Sequence, residues 1–213
     1  MDYKQLILDS GRRMATQSLT VSTWGNISAR DPETNYIYVT PSGMEYDTCT
    51  KDDIVVYDIE GNHIEGARKP TIELWMHIRV FQKRSDVNAM IHTHPLYSTV
   101  LGALKMEIPA ITEEFAQVLG HKVIPARYEL PGTMELADSV VEGLGADRAA
   151  TLLINHGAVC VAEDMEKAFK VSAVLEKAAQ IYYMAKTIGQ PNIVSPEHVD
   201  MMHAFFNNEY GQR

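Results

Sequence analysis

Cysteine is scarce: the chain has two, Cys49 and Cys160. They share no Cys-x-x-Cys spacing, so the sequence offers neither a disulfide framework nor a thiolate-rich structural metal site. Cations are short as well, with 19 Lys and Arg against 28 Asp and Glu, a net charge of −9. A protein that reads a nucleic-acid backbone needs a basic face, and this balance argues against one. Small anionic substrates stay open, because a local site can differ from the average. No apolar run approaches the ~18 residues of a membrane span. Met1 to Leu6 has no apolar stretch following a basic segment, unlike a signal peptide. The expectation is a reducing, cytoplasmic setting.

What is present is ordinary globular material. Of 213 residues, 46% are hydrophobic and 22% charged, enough apolar chain to bury a full core. No repeat, low-complexity tract or linker interrupts it, so a single domain over 1–213 is expected. Helical periodicity predicts helices over 2–17, 72–84, 95–104, 134–144 and 164–188, with a last one opening at Ser195-Pro196-Glu197. In the second helix Thr71 is the expected cap, and Ile72, Trp75, Met76, Arg79 and Val80 trace the expected buried side. Strands are expected at 27–30, 36–40, 54–58, 87–94, 123–125, 150–154 and 158–162. Pro125 marks an edge strand, and the wholly apolar Ala150–Ile154 a central one. The aromatic tail, Phe205 to Tyr210, reads as a docking segment or a lid.

Chemistry concentrates at strand ends. On a strand, residues two apart share a face, about 7 Å apart along the backbone. His92 and His94 fall so at the end of an apolar run, just before Pro95. Alone they are either a metal pair or two half-exposed histidines. A third histidine, His156, follows the strand at Ala150–Ile154 and raises the metal reading. Two further turns, Gly25-Asn26 and Thr40-Pro41-Ser42-Gly43, could cradle an anion through backbone N–H and side-chain donors, or be ordinary turns. Glu73, in the first turn of its helix, could serve the helix dipole or act as an acid. Three imidazoles suit a catalytic zinc with an open position. Such an ion acts as a Lewis acid on a carbonyl and its enediolate while a carboxylate shuttles the proton. Aldol cleavage, epimerisation, dehydration and decarboxylation all fit that set.

Five motifs then carry a resemblance: Gly25-Asn26-Ile27-Ser28, Thr40-Pro41-Ser42-Gly43, Lys69-Pro70-Thr71-Ile72-Glu73, His92-Thr93-His94-Pro95 and Asn155-His156-Gly157. In this order and spacing the chain resembles class II aldolases of the aldolase/adducin superfamily, its fuculose-phosphate branch above all. The resemblance implies a three-layer α/β/α sandwich with a mixed, mostly antiparallel sheet. It implies one Zn²⁺ per subunit on His92, His94 and His156, and Glu73 as the catalytic acid/base. Asn26, Ser42, Gly43 and Thr71 would hold the substrate phosphate. A homotetramer with sites between subunits is implied, cleaving a ketose 1-phosphate to a dihydroxyacetone-type fragment and an aldehyde. An epimerase, dehydratase or decarboxylase on this fold is the alternative. A non-catalytic adducin-like module is a third reading, disfavoured because such modules lack the three histidines. Two positions depart from the family. Ile72 replaces the second hydroxyl residue before the acid, and Glu113, beside Glu114, stands where a neighbouring subunit's tyrosine is expected. Tyr210 could partly substitute for that phenol.

Overall fold

The computed structural model describes residues 1–212. Its main sheet contains β1 (Asn26–Arg30), β2 (Ile37–Val39), β3 (Val55–Tyr57), β4 (His63–Glu65), β5 (Ala89–Thr93), β8 (Pro125–Ala126), β9 (Ala150–Leu153) and β10 (Gly157–Ala162). A separate pair joins β6 (Ile108–Pro109) to β7 (Lys122–Val123). The main sheet runs β4-β3-β2-β1-β5-β10-β9-β8. Its named pairs are antiparallel except β8 with β9.

The helices are α1 (Tyr3–Thr16), α2 (Leu74–Lys83), α3 (Leu96–Ala103), α4 (Glu113–Leu119), α5 (Met134–Leu144), α6 (Met165–Ile188) and α7 (Pro196–Asn208). Strand alternation assigns them to two faces. Met90 of β5 and Val159 of β10 pack with Met76 and Val80 of α2 and Val140 of α5. Ile91 packs with Ile7 of α1 and Phe169 of α6, and Cys160 with Leu101 of α3 and Leu175 of α6. The result is the expected α/β/α sandwich, with α4 and α7 packed together outside α6. His92 shares the α2 side of the sheet with Met90. Glu73, immediately before α2, meets His92 near the end of β5, so the start of the helix lies beside the end of the strand.

Several local expectations are corrected. The second helix begins at Leu74, so Glu73 occupies the N-cap position, not the first turn, and makes no side-chain cap bond. Thr71 caps nothing further in; its hydroxyl accepts from the Glu73 N–H at 3.3 Å. The buried stripe is Leu74, His77, Ile78 and Phe81, with Met76 and Val80. This i, i+3, i+4, i+7 pattern turns Ile72 (67% exposed) and Trp75 (38%) outward. Trp75 covers Gly61, where a Cβ would meet its ring at 2.5 Å. Arg79 is half-buried and pairs with Asp138 at 2.7 Å.

Pro95 stands at the N-cap of α3 and supplies no side-chain cap. The segment expected as one strand over 123–125 divides at Ile124, giving one end to β7 and the other to the sheet edge at β8. Strand β9 is penultimate, not central; it is wholly buried because α3 and α5 cover its two faces. Three later helices carry side-chain caps: Thr133 accepts from Leu136 N, Asp164 from Lys167 N and Ser195 from His198 N. In the tail, Phe205 and Phe206 belong to the last turn of α7, and Tyr210 stacks on Phe206 at 5.1 Å between ring centroids. Among the described residues no helix is long and apolar enough to cross a membrane.

Candidate metal centre and substrate cleft

Three strands deliver the histidines. His92 is fully buried on β5, between β1 and β10, opposite Asn26 on one side and Val159 on the other. His94 lies just past the strand end, where its N–H donates to Leu19 O at 2.8 Å. His156 comes from the turn joining β9 to β10. Asn155 there takes a left-handed φ of +57°, a conformation asparagine tolerates, and turns the chain back so that His156 N bonds Leu153 O. Gly157 follows, and a Cβ on it would meet Thr93 O at 2.2 Å. No side chain fits between these two strands.

The three Nε2 atoms converge. His92 and His94 are separated by 3.0 Å at Nε2, His92 and His156 by 3.2 Å. His92 Nδ1–H donates to Ala158 O at 3.0 Å, which leaves Nε2 as its lone-pair nitrogen. Burial pushes the pKa of all three down to about 4. At neutral pH they are therefore uncharged donors. Lone pairs this close repel unless a cation or proton sits among them.

Glu73 completes the group. Its Oε2 is 3.3 Å from His92 Nε2, and its Oε1 is 3.4 Å from His156 Nε2. The carboxylate is buried, and Oε1 has no hydrogen-bond partner. An orphaned anionic oxygen facing three neutral imidazoles fits a divalent cation, and His92, His94 and His156 form a metal-capable cluster.

A cleft of about 460 Å³ opens in front of this group. Asn26, Ser42, Gly43 and Thr71 all line it, as do Glu73, His94 and His156. The loops are tied together: Ser42 N donates to Lys69 O at 3.0 Å, and Thr71 N to Thr40 O at 3.1 Å. Gly25 and Gly43 have φ of +74° and +65°, and a Cβ at Gly25 would sit 2.7 Å from His92 O. Gly43 faces open space. None of the lining residues is a lysine or arginine, so an anion here would meet neutral donors and the metal. Trp24, Ile72 and Pro131 give the mouth an apolar rim, with Trp24 stacked parallel to His94. Glu113, Glu114 and Tyr210 do not line it; Glu114 pairs with Lys177 at 3.1 Å.

Residues 5–183 match the Class II Aldolase and Adducin N-terminal domain. The chain belongs to the class II aldolase family. It is 39% identical over 210 residues to the 5-deoxy-D-ribulose 1-phosphate aldolase of Bacillus thuringiensis serovar kurstaki, covering 99% of this chain and 97% of that protein. It is 33% identical to the L-fuculose phosphate aldolase of Escherichia coli strain K12, covering 97% and 94%. A solved L-fuculose 1-phosphate aldolase superposes with a TM-score of 0.94 at 37% identity, over 97% of this chain and 96% of that one. The class II aldolase is thus a metal-dependent carbon–carbon lyase.

Sequence reasoning passed over two residues of this aldolase. His77 is fully buried and contacts Asn26 and Ser28. Both were legible in principle: His77 lies one turn after Glu73, and Ser28 lies two residues after Asn26 on the same strand face.

Proposed function

We propose that this aldolase cleaves a short-chain ketose 1-phosphate between C3 and C4, giving dihydroxyacetone phosphate and a small aldehyde. The observation that carries the reading is Glu73 beside His92 and His156, with His94 converging on the same point, next to a cleft lined by Asn26, Ser42, Gly43 and Thr71. Zn²⁺, when bound by the three histidines, supplies Lewis-acid polarisation of the substrate carbonyl. Backbone N–H groups and hydroxyls of the two tied loops hold the phosphate. Glu73 moves the proton at C3: it returns one there as the C3–C4 bond breaks, and removes it in the synthetic direction.

The apolar rim of Trp24, Ile72 and Pro131 supports a substrate with a methyl terminus, such as 5-deoxy-D-ribulose 1-phosphate or L-fuculose 1-phosphate. The aldehyde product would then be acetaldehyde or lactaldehyde. The C4 hydroxyl must also lose a proton. Apart from Glu73 and the candidate metal ligands, no lining residue of this chain is a base for it. That gap supports a cleft completed by a neighbouring copy in a homotetramer.

Product analysis tests the reading. Zinc-loaded protein is incubated with ketose 1-phosphates, L-ribulose 5-phosphate, a 3-keto-tetronate phosphate and free ketoses. Release of dihydroxyacetone phosphate from a ketose 1-phosphate is the expected result. Epimer, dehydrated product or CO₂ in its place would contradict it.

A further inference from the structure

A line of buried polar groups runs behind the cleft from Glu73 into the sheet. Asn26 Nδ2 donates to Glu73 Oε2 at 2.8 Å. Asn26 Oδ1 faces His77 Nε2 at 2.5 Å, and His77 Nδ1 faces Ser28 Oγ at 2.6 Å. Ser28 and His77 are fully buried, Asn26 is 4% exposed and Glu73 5%. Ser28 and His77 have no access to solvent, so each must be satisfied by its neighbours, while Asn26 and Glu73 only edge the cleft.

The donor directions follow from chemistry. A carboxylate only accepts, so the amide nitrogen of Asn26 faces Glu73 and its oxygen faces His77. An oxygen there requires the proton on Nε2 of His77. Nδ1 is then an acceptor, which the Ser28 hydroxyl supplies with a proton. Three donors in series thus point toward Glu73: Ser28 to His77, His77 to Asn26, Asn26 to Glu73. The last of them, Asn26 Nδ2, occupies Oε2, while Oε1 has no partner.

We propose that His77 is a positioning residue: its Nε2–H, fixed by Ser28, locks the Asn26 amide and leaves Oε1 of Glu73 as the oxygen that exchanges protons with the substrate. The inference rests on Glu73 being the acid/base. Without the Nε2–H the Asn26 amide is free to turn its oxygen toward Glu73, where two acceptors would repel. The carboxylate would then lose its fixed aim at the cleft. The second hydrogen of Asn26 Nδ2 is left for the ligand, so one amide serves both Glu73 and the substrate.

Glutamine and asparagine substitutions separate the two ring nitrogens. The side chain introduced by His77→Gln can place its amide N–H where Nε2 stands, whereas the shorter one introduced by His77→Asn reaches only the Nδ1 position. The full-length, zinc-loaded His77→Gln and His77→Asn proteins are compared for metal content, Tm, ketose 1-phosphate cleavage and solvent deuterium exchange into dihydroxyacetone phosphate. The expected outcome is kcat and exchange near wild type in His77→Gln. In His77→Asn both should fall about 10–100-fold, the usual range for outer-shell partners, with KM and metal content little changed. Equal activity in the two variants, or losses that merely track Tm, would overturn the proposal. A second readout needs neither folding of a variant nor activity. Nitrogen-15 NMR of the wild-type protein should show His77 protonated at Nε2 and bare at Nδ1. A proton on Nδ1 overturns the proposal, whereas the correct tautomer without cleavage or exchange would count against the reading of Glu73 alone.

Discussion

Glu73 and His92 meet at 3.3 Å, Oε2 to Nε2, although one belongs to the start of a helix and the other to the end of the next strand. The contact joins the proposed acid/base to the candidate metal ligands. Glu73→Gln keeps the shape and an oxygen for Asn26 but cannot exchange the proton. Metal content and fold should survive, while turnover falls by about 10²–10⁴. Steady-state kinetics on zinc-loaded protein checks this, and unchanged turnover would remove Glu73 from the reaction.

Gly157, at the start of β10, packs against the backbone of Thr93 at the end of β5. In Gly157→Ala the new Cβ would meet Thr93 O at 2.2 Å and His94 Cδ2 at 3.1 Å. A backbone oxygen cannot yield cheaply. We expect a loss of about 1–3 kcal/mol in unfolding free energy and a marked drop in metal affinity. Urea unfolding and metal titration measure the two effects. Wild-type affinity would show that the strand spacing does not set the histidine geometry.

Glu176 of α6 holds the start of α3. Its carboxylate accepts from Tyr97 N at 2.8 Å, Ser98 N at 2.9 Å and Ser98 Oγ at 2.7 Å. It does the work that Pro95, at the N-cap, cannot do. Glu176→Ala leaves these donors without that partner and should cost about 1–3 kcal/mol. Thermal unfolding reads it, with zinc content as a second readout because His94 lies immediately before the turn. No change in Tm would deny the cap its role.

Acid should weaken the metal-free protein partly through His77. Burial, and then the charge of His92, push its pKa down to about 3 from an ordinary 6.5. The unfolded chain takes up that proton first as pH falls. The stability this group contributes is therefore complete above its unfolded pKa and is lost progressively between the two values. From pH 6.5 to about 5 the loss is at most about 2 kcal/mol. Chelated wild type should lose more stability over that interval than chelated His77→Gln, which shares the other histidines. Parallel curves by urea titration would contradict a buried neutral His77.

Much of this was legible in the sequence because the signals were periodic or chemically unusual. The His92/His94 alternation, the apolar run leading to His156 and the caps at Thr133, Asp164 and Ser195 all rest on local rules. The misses arose where tertiary packing decides. Helix α2 starts after Glu73 because its buried stripe begins at Leu74, a choice made by the sheet beneath it. Ala150–Ile154 read as central because it is apolar on both faces, yet helices on each side make a penultimate strand equally dry. Glu176 caps α3 from far along the chain, and no local pattern announces it. His77 hid among apolar neighbours because sequence alone does not reveal that Asn26 and Ser28 lie opposite it.

The three histidines and Glu73 are proposed to form one metal-dependent lyase centre. Its most direct test measures dihydroxyacetone phosphate release from 5-deoxy-D-ribulose 1-phosphate and L-fuculose 1-phosphate, before chelation, after it and after Zn²⁺ is restored. Cleavage of at least one substrate, loss on chelation, recovery with zinc, and no recovery in His92→Ala are expected. Cleavage that persists in chelated protein or in His92→Ala, or no cleavage of either substrate by the zinc-loaded enzyme, would contradict it.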